Sequence, residues 1–197
     1  MNTTNIAIFI SGKGSNALNL ITYFKNSEQF KICLIFATKE NPELKRSCAD
    51  NNIEFHFSEK NGIELEKAQV QLCTSKSIFW VVLAGYLKQI PPSFIALFPN
   101  RIINIHPSLL PKFGGKGMYG INVHRAVLAA KESKSGITIH YVNEEFDKGE
   151  IIAQYNLDLE EDETLETLET KIHELELHFF PMVLEEVFKK AQSKTKN

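Results

Sequence analysis

Cysteine is scarce in this chain, and its placement argues against the scaffolds that depend on it. The 197 residues include three cysteines, Cys33, Cys48 and Cys73. Their number is odd, their spacings are wide and no CxxC pair occurs, so the sequence supports neither a disulfide framework nor a zinc site. Reduced, mostly buried thiols are the simplest interpretation, and they predict a cytoplasmic location.

Long apolar runs and basic tracts are also missing. The first apolar run, Ile6–Ile10, ends at a glycine loop and follows no basic region, so it is typical of neither a signal peptide nor a membrane span. The net charge of -2 and the pI near 6.3 argue against a nucleic-acid partner. The hydrophobic content of 43% is enough for one sizeable core, and we expect a single domain over residues 1–197 with halves 1–105 and 106–197.

The first half alternates between apolar runs and stretches with helical spacing. Continuous hydrophobicity is typical of strands that are covered on both faces. The β-branched and aromatic runs are Ile6–Ile10, Ile32–Ala37, Ile53–Phe57, Ile78–Ala84 and Ile102–Ile105. Apolar residues between them recur at helical steps, most clearly Ala17, Leu18, Ile21 and Phe24, and more loosely Leu65, Ala68, Val70 and Leu72. This alternation predicts an α/β fold with a doubly wound, mostly parallel, Rossmann-like sheet.

The second half departs from that pattern. The predicted elements are a loop at 107–119, a helix from Gly120 to Lys131, strands at Gly136–Val142 and Glu150–Leu157 with a polar turn at Asn143–Gly149 between them, and a helix from Thr164 to Gln192. We therefore expect a C-terminal antiparallel strand and a long final helix. Pro181 is expected to kink or break that helix, because proline lacks the N–H of an interior helical bond.

A glycine-rich segment, Ser11–Asn16 (SGKGSN), follows the first strand and opens the first helix. N–H groups at a helix start, together with the helix dipole, suit a phosphate. An ordinary strand–helix turn, with Ser15 or Asn16 as the N-cap, is the competing interpretation. The segment lacks the Gly-Lys-Ser/Thr of a P-loop and the third glycine of GxGxxG.

A second constellation lies at the end of the fifth strand, in the segment NIHPSLLP. Alternation along the strand puts Asn104 and His106 on the same side, at the edge where ligands collect in open α/β sheets. The amide can donate to a developing oxyanion and the imidazole can move a proton. A capped strand end with a satisfied histidine is the alternative. Asp147 by itself fits an acidic turn, but beside His106 it would stabilise the imidazolium.

The remaining histidines give no metal-ligand spacing, since His173 and His178 are not an i, i+4 pair and no third ligand accompanies them. We expect no metal site. Trp80 lies in an apolar run and is expected in the core.

The segments ISGKGSN, NIHPSLLPKF and GITIHYVNEEFDKGEII, in this order, resemble the folate-dependent formyltransferases, and most closely the phosphoribosylglycinamide formyltransferase family. The resemblance covers about Ile6 to Pro181. It implies transfer of the formyl group of 10-formyltetrahydrofolate, as co-substrate, to the glycyl amine of phosphoribosylglycinamide. A tetrahedral centre would form directly, with no covalent enzyme intermediate and no metal. It also implies a phosphate-binding first half and a catalytic, folate-binding second half.

Residue roles carry over from the resemblance where the motifs match. It assigns catalysis to Asn104, His106 and Asp147. It assigns the substrate's phosphate and ribose to Gly14, Ser15, Asn16, His173 and Glu176. The folate pocket would include Leu87, Lys88, Gln89, Ile90, Asn104, His140, Asn143, Glu144, Glu145, Phe146 and Asp147.

The sequence departs from the family pattern in two places. The loop KFGGKGMYGINVH after Pro111 is longer than the usual form, with extra glycines at Gly114–Gly120, although His124 still matches the closing histidine. No arginine stands near Lys60–Gly62, where many members contact the folate, and lysine replaces a common arginine at Lys88.

Several alternatives stay open on the sequence. A formyltetrahydrofolate hydrolase would carry an additional N-terminal domain, whereas the first strand here is expected near residue 5. A methionyl-tRNA formyltransferase would have a C-terminal RNA-binding domain and a basic charge. Sugar-nucleotide formyltransferases share the core, but their substrates do not require the SGKGSN phosphate segment followed by a ribose-binding Glu176. A non-catalytic nucleotide-binding module would not need a proton shuttle. Two small-molecule substrates and a monomer or weak homodimer are expected.

Overall fold

The computed structural model of the protein describes residues 3–194, with side chains through residue 193. Its strands are β1 (Thr4–Ile10), β2 (Phe30–Ala37), β3 (Glu54–Phe57), β4 (Ile78–Leu83), β5 (Ile102–His106), β6 (Lys134–Tyr141) and β7 (Ile151–Asp158). Its helices are α1 (Ser15–Phe24), α2 (Pro42–Asp50), α3 (Gly62–Ser75), α4 (Pro92–Leu97), α5 (Ile121–Ala129) and α6 (Leu165–Lys194). Helices α2 and α4 are the elements to which the sequence analysis assigned no range.

The strands form a seven-stranded sheet in the order β3-β2-β1-β4-β5-β6-β7. The pairs β1–β2, β1–β4, β2–β3 and β4–β5 are parallel, and β6–β7 is antiparallel. The fold class predicted from the alternating runs is therefore confirmed, including the antiparallel C-terminal strand and the long final helix. Because β1 lies between β2 and β4, the loops that follow these three strands emerge at one edge.

The strand sequences match their positions in the sheet. The middle of β1, Ala7 to Phe9, is fully buried, as expected for a central parallel strand covered by helices on both faces. In β7, at the end of the sheet, exposed residues alternate with half-buried ones over much of its length. Trp80 is 3% exposed in β4, which confirms its expected place in the core.

The described residues divide into two compact units. The first contains the residues up to Asn104 together with Tyr141–Gly149, and the second contains Ile105–His140 and the residues from Glu150 onward. The boundary in β5 lies next to the expected division at residue 105. The segment Tyr141–Gly149, however, belongs to the first unit rather than to the second half. A single domain over residues 1–197 stays a prediction.

The core of the first unit is built around aromatic rings. Phe9 has ring centroids 5.3 Å from Phe36, 5.6 Å from Tyr86 and 5.8 Å from Phe94. Each tilted pair of this kind adds about 0.5–1.5 kcal/mol beyond the burial of apolar area. Tyr86 ends this cluster where the chain turns at Gly85, so the core supports the loop that follows β4.

Helix α6 corrects the expectation for Pro181. The helix runs without interruption from Leu165 to Lys194, with Pro181 inside it. Phe180, Val183 and Leu184 beside the proline are buried, and we attribute the continuity of the helix to this packing, which offsets the lost interior bond. The start of α6 is capped by Thr164, whose Oγ1 accepts a bond from the Thr167 N–H at 3.2 Å.

A second correction concerns the start of α1. The N-cap is Gly14, with φ 76 and no side-chain cap bond, so Ser15 and Asn16 are the first helical residues rather than the cap.

Among the helices of the described residues, none combines the length and the apolar character that crossing a bilayer requires.

Candidate active site

The glycine-rich segment leads into α1 as the phosphate hypothesis requires. Gly14 adopts a left-handed conformation that disfavours other residues, and a Cβ there would meet Leu44 Cδ2 at 2.9 Å. The Leu18 N–H donates to the Gly14 carbonyl at 2.9 Å, which begins the helix. Asn41 Nδ2 donates to the Lys13 carbonyl at 2.8 Å and holds the loop from the side. Ser15 and Asn16 begin the first helical turn, and N–H groups at a helix start can bind an anion.

The segment Leu87–Ile90 follows β4 and the positive-φ Gly85. Lys88 Nζ donates to the Lys60 carbonyl at 3.1 Å and to Asn61 Oδ1. Lys88 therefore bonds to the segment where the family's folate arginine has no counterpart. A cavity of about 530 Å³ opens beside Lys60 and is lined by residues 56–60 with Ala68, Gln71 and Leu72.

Two of the predicted folate-binding segments contact each other in the first unit. Gln89 Nε2 donates to the Glu144 carbonyl at 3.3 Å. Asn143 Oδ1 accepts from the Glu145 N–H at 3.0 Å, and Asn143 Nδ2 donates to the Lys148 carbonyl at 3.2 Å, so this asparagine closes the turn. Leu87 and Phe146 are partly exposed, at 43% and 38%, and offer apolar surface.

Asp147 lies in that turn with φ 56, a left-handed conformation that aspartate tolerates better than most residues. The turn closes at Gly149, where a Cβ would overlap the Tyr141 carbonyl oxygen. The Val142 N–H donates to the Ile102 carbonyl at 2.9 Å, which ties the start of the turn to β5. Asn104 follows two residues later on β5, in register with Leu83 of β4, and is half-buried.

In the second unit, the buried His106 ring is held by the main chain. Its Nε2 lies 2.8 Å from the Phe113 carbonyl oxygen, and its side chain is 3% exposed. A carbonyl oxygen can only accept, so Nε2 carries the proton in this bond. The interaction fixes the plane of the imidazole.

The segment that supplies this carbonyl is anchored to β6. Thr138, which is fully buried, donates to the Ser108 carbonyl at 2.6 Å and accepts from the Leu110 N–H at 3.0 Å. Gln154 Nε2 donates to the Leu110 carbonyl at 2.9 Å. These bonds hold the turn between His106 and Phe113 in one conformation.

His124 of α5 is buried near His106 and near the helix predicted to bind ribose. Burial is the main cause that lowers its pKa below the ordinary 6.5, and the positive charge of His106 lowers it further. Glu169 and Glu176 act in the opposite direction. No protein atom bonds to Nδ1 of His124, within the part of the chain that the structure describes. The second unit thus places His124 within electrostatic reach of both His106 and Glu176.

The other predicted residues of the second unit lie on β6 and α6. His173 Nδ1 is 3.6 Å from Glu176 Oε2, one helical turn apart, and the two side chains are 40% and 15% exposed. The ribose-binding role of this pair stays a prediction. His140 is buried at 2% exposure near the end of β6.

The structure thus brings together the segments at 87–90 and 143–148 in the first unit. In the second unit, His106 and Glu176 each act electrostatically on His124. Sequence reasoning missed Phe113 and Thr138 and gave Ser11 no role apart from its segment, because a main-chain carbonyl or a single hydroxyl leaves no motif. His124 was noticed as a match without a role. Among residues 3–194, no group of three or more His, Cys, Asp or Glu side chains is arranged to hold a metal ion.

The comparisons with known proteins agree with this geometry. The family described as formyl transferase matches residues 4–184. The chain belongs to the formyl transferase family. Within it, the chain is 34% identical to phosphoribosylglycinamide formyltransferase of Bacillus subtilis, over 92% of this chain and 93% of that protein.

Two further relatives of the same name extend the likeness. The chloroplastic enzyme of Arabidopsis thaliana is 36% identical over 93% of this chain, which spans 66% of that protein's length. The crystal structure of phosphoribosylglycinamide formyltransferase from Bacillus halodurans superposes with a TM-score of 0.86 at 35% identity, covering 95% of this chain and 97% of that one. The likeness to this family drawn from the sequence motifs is confirmed.

Proposed function

We propose that this protein transfers the formyl group of 10-formyltetrahydrofolate to the glycyl amine of 5'-phosphoribosylglycinamide. The products are the N-formylglycinamide ribonucleotide and tetrahydrofolate, in purine biosynthesis. The observation that carries the proposal is the extent of the likeness to the Bacillus subtilis enzyme, which covers more than nine tenths of both chains. Such coverage takes in the glycine-rich segment, the NIHPSLLP motif and the turn around Asp147 together.

The reaction needs an unprotonated amine beside an activated formyl group. As the amine nitrogen bonds to the formyl carbon, negative charge develops on the former carbonyl oxygen. Asn104 can donate its amide N–H to that oxygen, and one such donor contributes about 3–4 kcal/mol to the transition state. The bond from carbon to the folate nitrogen then breaks, and the oxygen becomes a carbonyl again.

His106 and Asp147 are proposed to stabilise the developing negative charge and to assist proton transfer in this reaction. A cationic imidazole near the oxyanion lowers its energy, and a carboxylate near the imidazole favours that cation. The attacking amine must lose a proton and the departing folate nitrogen must gain one, so no net acid or base is consumed. We infer that Asp147 holds the water through which this proton passes. The bond from His106 Nε2 to Phe113 supports the role, because it gives the ring a single orientation.

Substrate binding is proposed to divide between two groups of residues. The backbone of Gly14, Ser15 and Asn16 would bind the phosphate, and His173 with Glu176 would bind the ribose hydroxyls. The folate would be surrounded by Leu87 to Ile90, His140 and Asn143 to Asp147. Asn104 would contact its formyl group. Placing both reactants side by side supplies much of the remaining acceleration.

Product analysis separates this proposal from its rivals. The protein is incubated with 10-formyltetrahydrofolate, with and without phosphoribosylglycinamide, and tetrahydrofolate and formylated product are quantified. We expect tetrahydrofolate only when the amine is present, in a one-to-one ratio with formylated product. Release of formate without the amine would identify a hydrolase instead, and no deformylation in either mixture would favour a nucleotide-binding module.

We further infer that the protein acts in the cytoplasm on these two small molecules, without nucleic acid, as a monomer or weak homodimer. Support for a reducing compartment comes from Cys33, Cys48 and Cys73, which are all free. Light scattering of the purified protein at several concentrations tests the oligomeric state. A stable assembly larger than a dimer would contradict this expectation.

A further inference from the structure

Ser11 lies at a junction of three loops. It is the first residue after β1, and its side chain is 2% exposed. Its Oγ accepts a bond from the Leu87 N–H at 3.1 Å and another from Thr38 Oγ1 at 2.7 Å. Its own N–H donates to the Gly85 carbonyl at 3.0 Å. One serine therefore bonds to the loops that follow β2 and β4.

The strand order explains why this residue can make these bonds. Strand β1 lies between β2 and β4 in the sheet, so the residue that ends β1 reaches both neighbouring loops. Thr38 directly follows β2, and Gly85 and Leu87 follow β4. Ser11 itself begins the glycine-rich segment that leads to Gly14.

Each of the two ligand segments also has an anchor that does not involve Ser11. Tyr86 OH accepts from Gln69 Nε2 at 2.7 Å, and both side chains are buried, so this bond holds only the segment after β4. Asn41 Nδ2 donates to the Lys13 carbonyl, and this bond holds only the glycine-rich segment. Ser11 is the residue whose bonds join one segment to the other.

We propose that Ser11 is a positioning residue that sets the phosphate-binding segment and the folate-binding segment of the first unit at a fixed separation. This inference rests on the proposed function, because that function makes these segments the binding sites of two different substrates. Ser11 contacts neither reacting atom. Its hydroxyl keeps the segment at Leu87 and the segment at Gly14 at the same distance and orientation when either substrate binds.

The central experiment compares Michaelis constants for both substrates in Ser11→Ala and in two variants that loosen one anchor each. Ser11→Ala removes the side-chain acceptor of the Leu87 N–H. Among the described residues, Thr38 Oγ1 keeps its bond to the Ile10 carbonyl at 3.5 Å. We expect the KM for formyl folate to rise about three- to tenfold and the KM for the ribonucleotide to rise about threefold, since the two hydrogen bonds that Ser11 Oγ accepts are lost. The kcat should change by less than about twofold, because no group at the formyl carbon is altered.

The two single-anchor variants are the matched controls. Tyr86→Phe removes the hydroxyl that bonds to Gln69 and should raise only the KM for formyl folate. Asn41→Ser keeps an oxygen that can cap α2 but removes the amide donor to Lys13, so it should raise only the KM for the ribonucleotide. If Ser11→Ala changes neither KM, or changes only one of them as a single-anchor variant does, the positioning role is refuted.

Thr38 provides a second test if Ser11→Ala lowers the melting temperature too far. Thr38→Val removes the donor to Ser11 Oγ and should raise both KM values by a smaller factor, whereas Thr38→Ser keeps the hydroxyl and should behave as wild type. Equal KM values for the Val and Ser variants would overturn the proposal.

Amide hydrogen exchange separates the failure of this inference from the failure of the proposed function. If the wild-type protein transfers no formyl group, the function is wrong but the junction can still be measured. We then expect Ser11→Ala to speed exchange at Leu87 and at Leu18, whose amide donates to the Gly14 carbonyl, by about three- to tenfold. Exchange that accelerates at Leu87 alone, or at neither amide, would refute the junction.

Discussion

A main-chain carbonyl orients the ring of His106. Its Nε2–H bonds to the carbonyl of Phe113, a residue that itself adopts a left-handed φ of 56. A non-glycine residue in that region costs free energy, and the bonds from Thr138 and Gln154 to the same turn offset the cost. Thr138 and Gln154 thus act on His106 indirectly, by holding the backbone of the turn that contains the Phe113 carbonyl.

The assignment of Asp147 is tested at the residue scale by Asp147→Asn. The amide is nearly isosteric but neutral, so it no longer favours the imidazolium of His106. We expect kcat to fall by about 10²- to 10⁴-fold, while the KM for the phosphorylated substrate stays within about twofold.

The control for this variant is Asp158→Asn. Asp158 is an exposed carboxylate of β7, paired with Lys134 at 3.4 Å, so its replacement makes the same change of charge away from the proposed site. It should leave turnover near wild type. Nearly wild-type turnover in Asp147→Asn would remove Asp147 from the mechanism.

At the scale of elements, the ends of helices determine what the sites can bind. Helix α1 has Gly14 as its N-cap, which supplies no side-chain cap bond, and the N–H groups at such a helix start favour an anion. Helix α6, in contrast, begins with Thr164 and Thr167 bonded to each other's N–H groups, at 3.2 and 3.1 Å. The start of α1 can therefore bind an anion, whereas the capped start of α6 stabilises the helix.

Gly14→Val tests the start of α1. The positive φ disfavours valine, and the new Cβ would press on Leu44, so the first turn must shift. We expect the KM for the ribonucleotide to rise by about threefold to tenfold. Gly12→Ala, where a Cβ meets nothing within 4 Å, should produce a smaller change. If Gly14→Val binds the ribonucleotide like wild type, the segment is an ordinary turn.

Thr164→Ala tests the start of α6. The loss of an N-cap acceptor should lower the free energy of unfolding by about 1 kcal/mol, or about 2–4 °C in Tm. Thermal unfolding followed by circular dichroism measures the change, and Thr164→Ser should preserve most of the stability. A Tm equal to wild type in the alanine variant would show that the cap contributes nothing.

At the scale of the whole molecule, buried titratable groups link stability to pH. Burial raises the pKa of the Cys73 thiol to about 12 and that of Cys48 to about 11, so both stay neutral in the physiological range. His124 is different, because its lowered pKa lies below the value of 6.5 that an exposed histidine has. As the pH falls, the unfolded chain takes up this proton before the folded protein does.

The stability associated with neutral His124 is therefore fully present above about pH 6.5 and is lost as the pH falls from there towards the folded pKa. We expect the Tm of wild type to fall more steeply between about pH 6.5 and pH 5 than the Tm of His124→Gln. His178→Gln, at an exposed histidine, is the control and should follow the wild-type slope. Equal slopes for wild type and His124→Gln would contradict the assignment.

The order of the elements was predictable from local sequence. The run Ile102–Ile105 became β5 (Ile102–His106), and the predicted strand at Glu150–Leu157 became β7 (Ile151–Asp158), because hydrophobic periodicity records which residues face a core. The expectation for Pro181 was wrong, because tertiary packing on α6 outweighed a local rule. The N-cap of α1 was placed at Ser15 or Asn16 instead of Gly14, because the sequence does not show which residue adopts a positive φ.

The sequence by itself determined the fold class and the family, since periodicity and motifs are carried by side chains at fixed spacings. It also proposed Asn104, His106 and Asp147 as the catalytic residues, and that assignment stays a prediction. Only the tertiary structure decided three features of their surroundings. The Phe113 carbonyl bonds to His106, the Ser11 hydroxyl joins two loops, and His124 is buried near Glu176. Hydrogen bonds to main-chain atoms and the burial of a charge depend on which distant segments meet in space, and spacing along a chain does not encode that.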